Sequence, residues 1–398
     1  MTTIDVDRSA GTTFVTHRLT VTGKVVLGFV GVLALLGVVA GVYRLAVGLG
    51  PTTNLTDAYP WGLWIGFDFS LIAFAGIGFT MAAVVHVLHL EQYERMSRAA
   101  VLTGFLGYVA VLVILLIDLG RPDRFWGFLV FWNGHSPLFE ISWCILLYTG
   151  VLALEFAPIL FERLNRPKIL KAIRTISVPV VIAGVTLSTL HQSTLGTLYL
   201  ALPAKTDQLW WSWLLPLLFY ISSIGMGLAV MMVVWIVASK VFNRKRIEMD
   251  LLDGLAKASL WLWVTYAVLR FGDLFLTGDA GAMFAFDSQS IWFWIEMLLM
   301  AIAPIVLFAI KGVRQTQAGL LAASLVVIVG VFMNRFNATL TAQAVNRFTV
   351  ESVREAASYS PHLLEWAVQI GVLAAAVLVW YFAARLLPVL PEAAEHEH

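Results

Sequence analysis

Apolar residues run through this chain in long blocks, and polar residues are confined to the short stretches between them. No block alternates with the period of two expected of a half-buried strand. Each is about 20 residues or longer, enough to cross a bilayer as a helix. Ten blocks are read, at 22–46, 62–90, 97–119, 138–161, 172–194, 212–240, 254–276, 289–311, 317–338 and 363–386. The pattern predicts an all-α polytopic membrane protein of about ten transmembrane helices.

The blocks also echo one another. The fourth contains "EFAPILF" (155–161) and the eighth "AIAPIVLF" (301–308); the fifth ends "GVTLSTLHQSTL" from Gly184 and the ninth "GVFMNRFNATL" from Gly330. Blocks two and six both open with aromatics and carry Gly-x-Gly, at Gly76/Gly78 and Gly225/Gly227. This predicts two four-helix bundles, spans 2–5 and 6–9, in one orientation. The bland alternative is that Gly and Ala-Pro are simply common in membrane helices. The expected organisation is a cytoplasmic tail (1–21), a first helix with an outer loop (22–61), a first bundle (62–194), a second bundle (195–338), an outer loop with a tenth helix (339–386) and a second cytoplasmic tail (387–398).

Charge then orients the helices. Most of the 26 Lys and Arg gather in alternate loops, among them Arg95, Arg98, Lys168, Lys171, Arg244 and Arg314, whereas Arg121, Lys205, Arg347 and others lie opposite. The positive-inside rule places both termini in the cytoplasm. "YPWGLW" and "LWWSW" then lie at the outer interface, where amphipathic rings settle. The polar N-terminus lacks a small-residue cleavage site, so the first block reads as a retained helix and not a signal peptide. A charged fraction of 13%, a mean hydropathy of +0.84 and a net charge of +1 argue against a soluble domain and against nucleic acid as a partner.

Ionisable side chains inside hydrocarbon cost about 2.5–3.5 kcal/mol each on insertion scales and mark function when they cluster. Asp68, Asp118, Glu140, His191, Arg270, Asp273, Arg335 and Glu365 all fall in the outer third of their spans. Trp61, Trp64, Tyr108, Trp143, Trp292 and Trp294 surround that level and could wall a flat organic ligand. Four have structural readings as good as functional ones. Arg270 and Asp273, three apart, would make an ion pair; Asp118 would cap a turn with Arg121; Glu365 would reach the outer surface. Glu140 and His191 have no evident partner in their own helices and are the strongest functional candidates.

Metal and haem chemistry are expected elsewhere. The single cysteine, Cys144, cannot supply a disulfide, a Cys-based zinc site or an iron–sulfur ligand set. A b-type haem held by two histidines needs both at one depth on different helices. His86 and His89 share one span near the cytoplasmic side, His191 stands at the opposite depth, and His135 and His362 lie in a loop or at a helix start. The expectation is a chain with no haem and no metal, in which His191 donates hydrogen bonds or carries a proton.

Motifs in order along the chain, "YPWGLWIGFD" (59–68), "SPLFEISW" (136–143), "ALEFAPILFERL" (153–164), "LHQSTLG" (190–196), "VLRFGDL" (268–274), "FWIEMLLM" (293–300) and "RLLPVLP" (385–391), resemble the NrfD/PsrC superfamily of quinone-reactive membrane subunits. The ten-helix, HybB-type branch is the nearer match; the sulfur-pathway DsrP-type and PsrC-type members share the plan. The resemblance covers Tyr59 to Pro391. It implies electron exchange between a quinone (menaquinone or ubiquinone) and an iron–sulfur, ferredoxin-like partner on the outer face. That partner would belong to a [NiFe]-hydrogenase with its large and small subunits, in the inner membrane of a prokaryote.

On that resemblance, His191 is expected to donate to a quinone carbonyl and carry its proton, and Glu140 to load or receive that proton. Arg270 and Asp273 would set the electrostatics. Asp68 and Tyr108 would support the relay, with Trp61, Trp143 and Trp292 as ring walls. Ser188, Thr189 and Tyr266, with Thr186, would extend a proton path towards Glu155 at a cytoplasmic mouth. Two rival readings are the same role in a sulfur-pathway or molybdopterin complex, and a secondary transporter that needs no partner.

Overall fold

The computed structural model describes residues 21–57, 59–203, 206–242, 247–344 and 359–390. Most of both expected tails, Lys205, Arg244 and residues 345–358, Arg347 among them, lie outside the described residues.

Ten helices are long and apolar enough to span a membrane: α1 (Val21–Val47), α2 (Leu63–Val87), α3 (Glu91–Asp118), α4 (Pro137–Arg163), α5 (Ser177–Leu200), α6 (Leu215–Val241), α7 (Met249–Thr277), α8 (Ser288–Ala309), α9 (Gln317–Thr341) and α10 (Leu363–Leu386). The protein is a multi-pass membrane protein, and no strand occurs among the described residues. Three spans contain a π-turn: Ala83–Val87 in α2, Leu298–Ile302 in α8 and Asn337–Thr341 in α9.

One boundary differs from the sequence reading in a way that matters. The fifth block was expected at 172–194. Instead a separate short helix, Pro167–Thr175, precedes α5, and α5 continues to Leu200. Pro179, in the first turn of α5, needs no intrahelical N–H partner there, so the span starts cleanly at Ser177. At the other end "LGTLYL" keeps the helix going. His191 therefore lies about 14 Å inside α5, at 1.5 Å per residue, and not at its end.

Helices α2, α3, α4 and α5 pack in sequence order, and α5 closes back on α2; α6, α7, α8 and α9 do the same, with α9 on α6. Between the two sets α5 meets α6, α9 meets α2, and α2 crosses α6. At that crossing a Cβ on Gly227 would sit 3.1 Å from the Gly76 carbonyl oxygen. Helix α10 packs on α3 and α2, and α1 lies mainly along α10. The α1–α10 contact is backbone on backbone: a Cβ on Gly37 would fall 2.3 Å from the Gly371 Cα.

One end of the bundle collects the cations. Arg98 pairs with Glu162 at 2.8 Å and donates to the Pro388 carbonyl; Arg174 reaches the same Glu162 at 3.1 Å. Arg314 and Lys257 both hold Asp253. This is the basic end. The opposite, aromatic end carries Trp61, Trp64, Trp132, Trp210, Trp213 and Trp292.

Candidate functional site

Between α2, α3, α4 and α5 lies a line of fully buried polar side chains that are poorly provided with hydrogen bonds. His191 has neither ring nitrogen bonded. Its ring stands 5.8 Å from that of Tyr108, which meets Tyr148 edge-on at 4.8 Å. The Tyr108 and Tyr148 hydroxyls both approach Ser188 without closing a hydrogen bond of good geometry, and both carboxylate oxygens of Asp68 are unpartnered. Gln192 donates through Nε2 to the Ile72 carbonyl at 2.9 Å, one turn along α2 from Asp68, and leaves its own oxygen unpartnered. Buried polar groups are nearly always bonded, and an unpaired one in hydrocarbon is costly. In this seam they include a histidine, an aspartate and two tyrosines, groups able to donate or carry protons.

The seam has an approach at each end. Near the aromatic end, Thr194, one turn from His191, donates to Glu140 Oε1 at 2.7 Å. Glu140 departs from the reading that placed it among costly intramembrane groups. It sits in the first turn of α4, where the helix dipole favours an anion, and its side chain is exposed there. Towards the basic end, Glu155 and Tyr148 both face Gly184 of α5. Glu155 there lines a cavity of about 260 Å³, which also takes in His86, Ser97, Arg98 and Arg174.

Other expected members lie elsewhere. Thr189 bonds its own helix at Val185 and reaches Tyr220 on α6 at 3.5 Å, while Thr186 is exposed. Tyr266 packs edge-on against Trp263 in the α6–α9 set. Arg270 and Asp273 are buried together there, 3.4 Å apart; Arg270 donates to the Leu209 carbonyl and lies over the Phe293 ring. Sequence reasoning overlooked the residue at the centre of that region, Glu296. It is fully buried and accepts from Trp210 (2.8 Å), Asn334 (2.7 Å) and Asn337 (2.9 Å). Arg335 completes the network, donating to Ser222 Oγ at 2.8 Å and lying 3.7 Å above the Phe219 ring. Here the carboxylate and guanidinium groups are provided with partners.

A third group closes the aromatic end. Glu365 is buried in the first turn of α10, where it accepts from the backbone N–H of Asn54 and of His362 and from the Tyr359 hydroxyl. It is a latch and does not reach the surface. Asp118 faces Arg44 and Glu365, and not Arg121, which pairs with Asp123 in the exposed loop. The eight ionisable residues thus divide into three groups, and His191 lies deeper than Glu140, Asp118 and Glu365 at their helix ends.

The aromatic walls divide too. Trp61 packs on Tyr199 and Phe69 at 6.0 and 6.4 Å. Trp143 belongs to a cluster with Phe128, Trp132 and Phe139 beside the start of α4, with its indole N–H unpartnered. Trp292 is 44% exposed on α8, so it does not wall the seam.

Residues 51–346 match the family model described as Polysulphide reductase, NrfD. The chain is 34% identical to a protein of Nitratidesulfovibrio vulgaris over 91% of this chain and 93% of that one. It is 32% identical to the probable Ni/Fe-hydrogenase 2 b-type cytochrome subunit of Escherichia coli, over 90% of each chain. It is 28% identical to the menaquinone reductase integral membrane subunit of N. vulgaris, also over 90% of each. The name of the E. coli relative overturns the expectation of a haem-free chain. That expectation counted only histidine pairs within this sequence, whereas haem iron also accepts other axial ligands, methionine among them. Among the described residues His191 is the buried imidazole with both nitrogens unpartnered, so the chain offers one fitting ligand.

Proposed function

The chain belongs to the Polysulphide reductase, NrfD, family, and from that premise we propose that it is the quinone-reactive membrane subunit of a respiratory oxidoreductase complex. The observation that carries the reading is the unpartnered His191, fully buried beside Tyr108. Reducing a quinone takes two electrons and two protons, one proton to each oxygen. His191 donates to one carbonyl oxygen, and Tyr108 stands ready to supply the next proton. Glu140, exposed and bonded through Thr194, exchanges protons with the aromatic-end solvent. Electrons enter at that end from an iron–sulfur partner. Arg270 and Asp273 act through the field of the α6–α9 set and touch nothing in the seam.

Tyr108, Ser188, Tyr148 and Glu155 follow one another from His191 to the cavity at the basic end, a route along which turnover would move protons across the membrane. Thr189 and Tyr266 are left off it by their positions. The basic end is taken as cytoplasmic, in the inner membrane of a prokaryote, by the distribution of Lys and Arg. A [NiFe]-hydrogenase is the favoured partner, supported by the name of the E. coli relative; a reductase partner is supported by the N. vulgaris one.

Mild-detergent isolation of the tagged chain from its native membrane, with mass spectrometry of what accompanies it, tests the reading. An iron–sulfur subunit with hydrogenase subunits is expected. A reductase in their place keeps the quinone site and changes the electron source. A chain that is stable and functional alone is a transporter, and the reading fails.

A further inference from the structure

In the segment joining α4 to α5, only Arg174 has a role so far, through Glu162 and the Glu155 cavity. Arg166 precedes a nine-residue helix, Pro167–Thr175, in which Lys168, Lys171 and Arg174 recur every three residues and so share one face. Ile169 and Ile173, four apart, lie on the other; Ile169 is 42% exposed, so the protein leaves that face partly uncovered. The exposed apolar surface continues into α5 through Ile176, Val178 and Ile182. A helix that is cationic on one side and apolar on the other, set where the spanning segments end, is built to lie in a membrane interface.

The charges are available. Glu162, the nearest acid in sequence, is already held by Arg98 and Arg174. Arg166, Lys168 and Lys171 make no ion pair among the described residues and are exposed. Beside them Pro167, Leu170, Lys171, Arg174 and Thr175 line a surface concavity. Cations at the headgroup plane with an apolar face below them complement a phosphodiester carrying acyl chains.

We propose that Arg166, Lys168 and Lys171 form a binding site for anionic phospholipid headgroups, with the Ile169/Ile173 face lying against the acyl chains. The site is independent of the redox reading. Each charge near a lipid surface is worth about a fivefold change in binding.

The test is native mass spectrometry of the purified full-length chain titrated with phosphatidylglycerol or phosphatidylcholine of the same acyl chains. The wild type should retain phosphatidylglycerol in preference. The triple variant Arg166→Gln, Lys168→Gln, Lys171→Gln should lose that preference by at least about tenfold. The double variant Lys168→Arg, Lys171→Arg keeps the charge and should bind as the wild type, which separates loss of charge from loss of fold. Inorganic phosphate at millimolar concentration should not displace the lipid, because it cannot use the apolar face. Equal retention by the triple variant, loss in the arginine variant, no preference over phosphatidylcholine, or displacement by phosphate would each overturn the proposal.

Discussion

A buried imidazole with two unpartnered nitrogens is a stability cost, since an unsatisfied polar group forfeits about 1–3 kcal/mol of hydrogen bonding. His191 should therefore separate stability from function. His191→Leu is expected to unfold in detergent at the same temperature as the wild type or a higher one, while quinone-linked turnover falls. Glu296 should behave in the opposite way. Glu296→Gln replaces a charged acceptor of three hydrogen bonds with a neutral amide and should cost about 1–3 kcal/mol, read as a lowered melting temperature in the same detergent. If His191→Leu proves the more destabilising of the two, the assignment of a working seam and a structural network is reversed. The hydroxyl of Tyr359 gives a pH prediction outside the spans. Burial raises its pKa above the ordinary 10.0. The stability it contributes through Glu365 and the Leu63 N–H is therefore whole below about pH 10 and lost as pH rises beyond it. Thermal melts at pH 6 and pH 8 should agree on this latch, with destabilisation appearing only in strong alkali. His191 was readable in the sequence because a histidine in an apolar run has few excuses. Glu296 was equally conspicuous in "FWIEMLLM", but its partners come from a loop and from α9, and no spacing within α8 reveals them.

At the scale of helices, hydrophobic blocks located all ten spans because the bilayer imposes their length. What they could not place was the break between Thr175 and Ser177: the last turn of an amphipathic helix runs into the spanning helix with no Gly or loop segment between them, so the block was started at 172, inside the shorter helix. That error put His191 near a helix end; Glu140 was placed correctly in the first turn of its span, and only its exposure was not readable. The α1–α10 pair shows a different limit. Glycines are common in membrane helices, and only the fold shows that Gly37 and Gly371 touch. Gly371→Leu has no room for its side chain and should force α1 away from α10. Limited proteolysis should release α1 from the variant while α2–α9 remain protected. Release at the wild-type rate would mean that α1 is held by something other than this contact.

Across the whole molecule, the two sets α2–α5 and α6–α9 use similar helix orders to different ends. The first keeps an unbonded polar seam from His191 to Glu155, and the second fills its interior with the Glu296 network. The sequence showed that eight ionisable residues gather towards one end of the spans but not their division into groups, because neighbourhood across helices is not readable from position along one. The central claim is that the seam, and not the Arg270–Asp273 region, handles the quinone. The most direct measurement is quinone-reduction turnover by the intact complex carrying His191→Ala, with partner retention checked on the same preparation. A fall of about 100-fold or more with the partner still bound is predicted, the size expected for loss of a proton donor. Turnover within twofold of the wild type would contradict the account and move the site out of the seam.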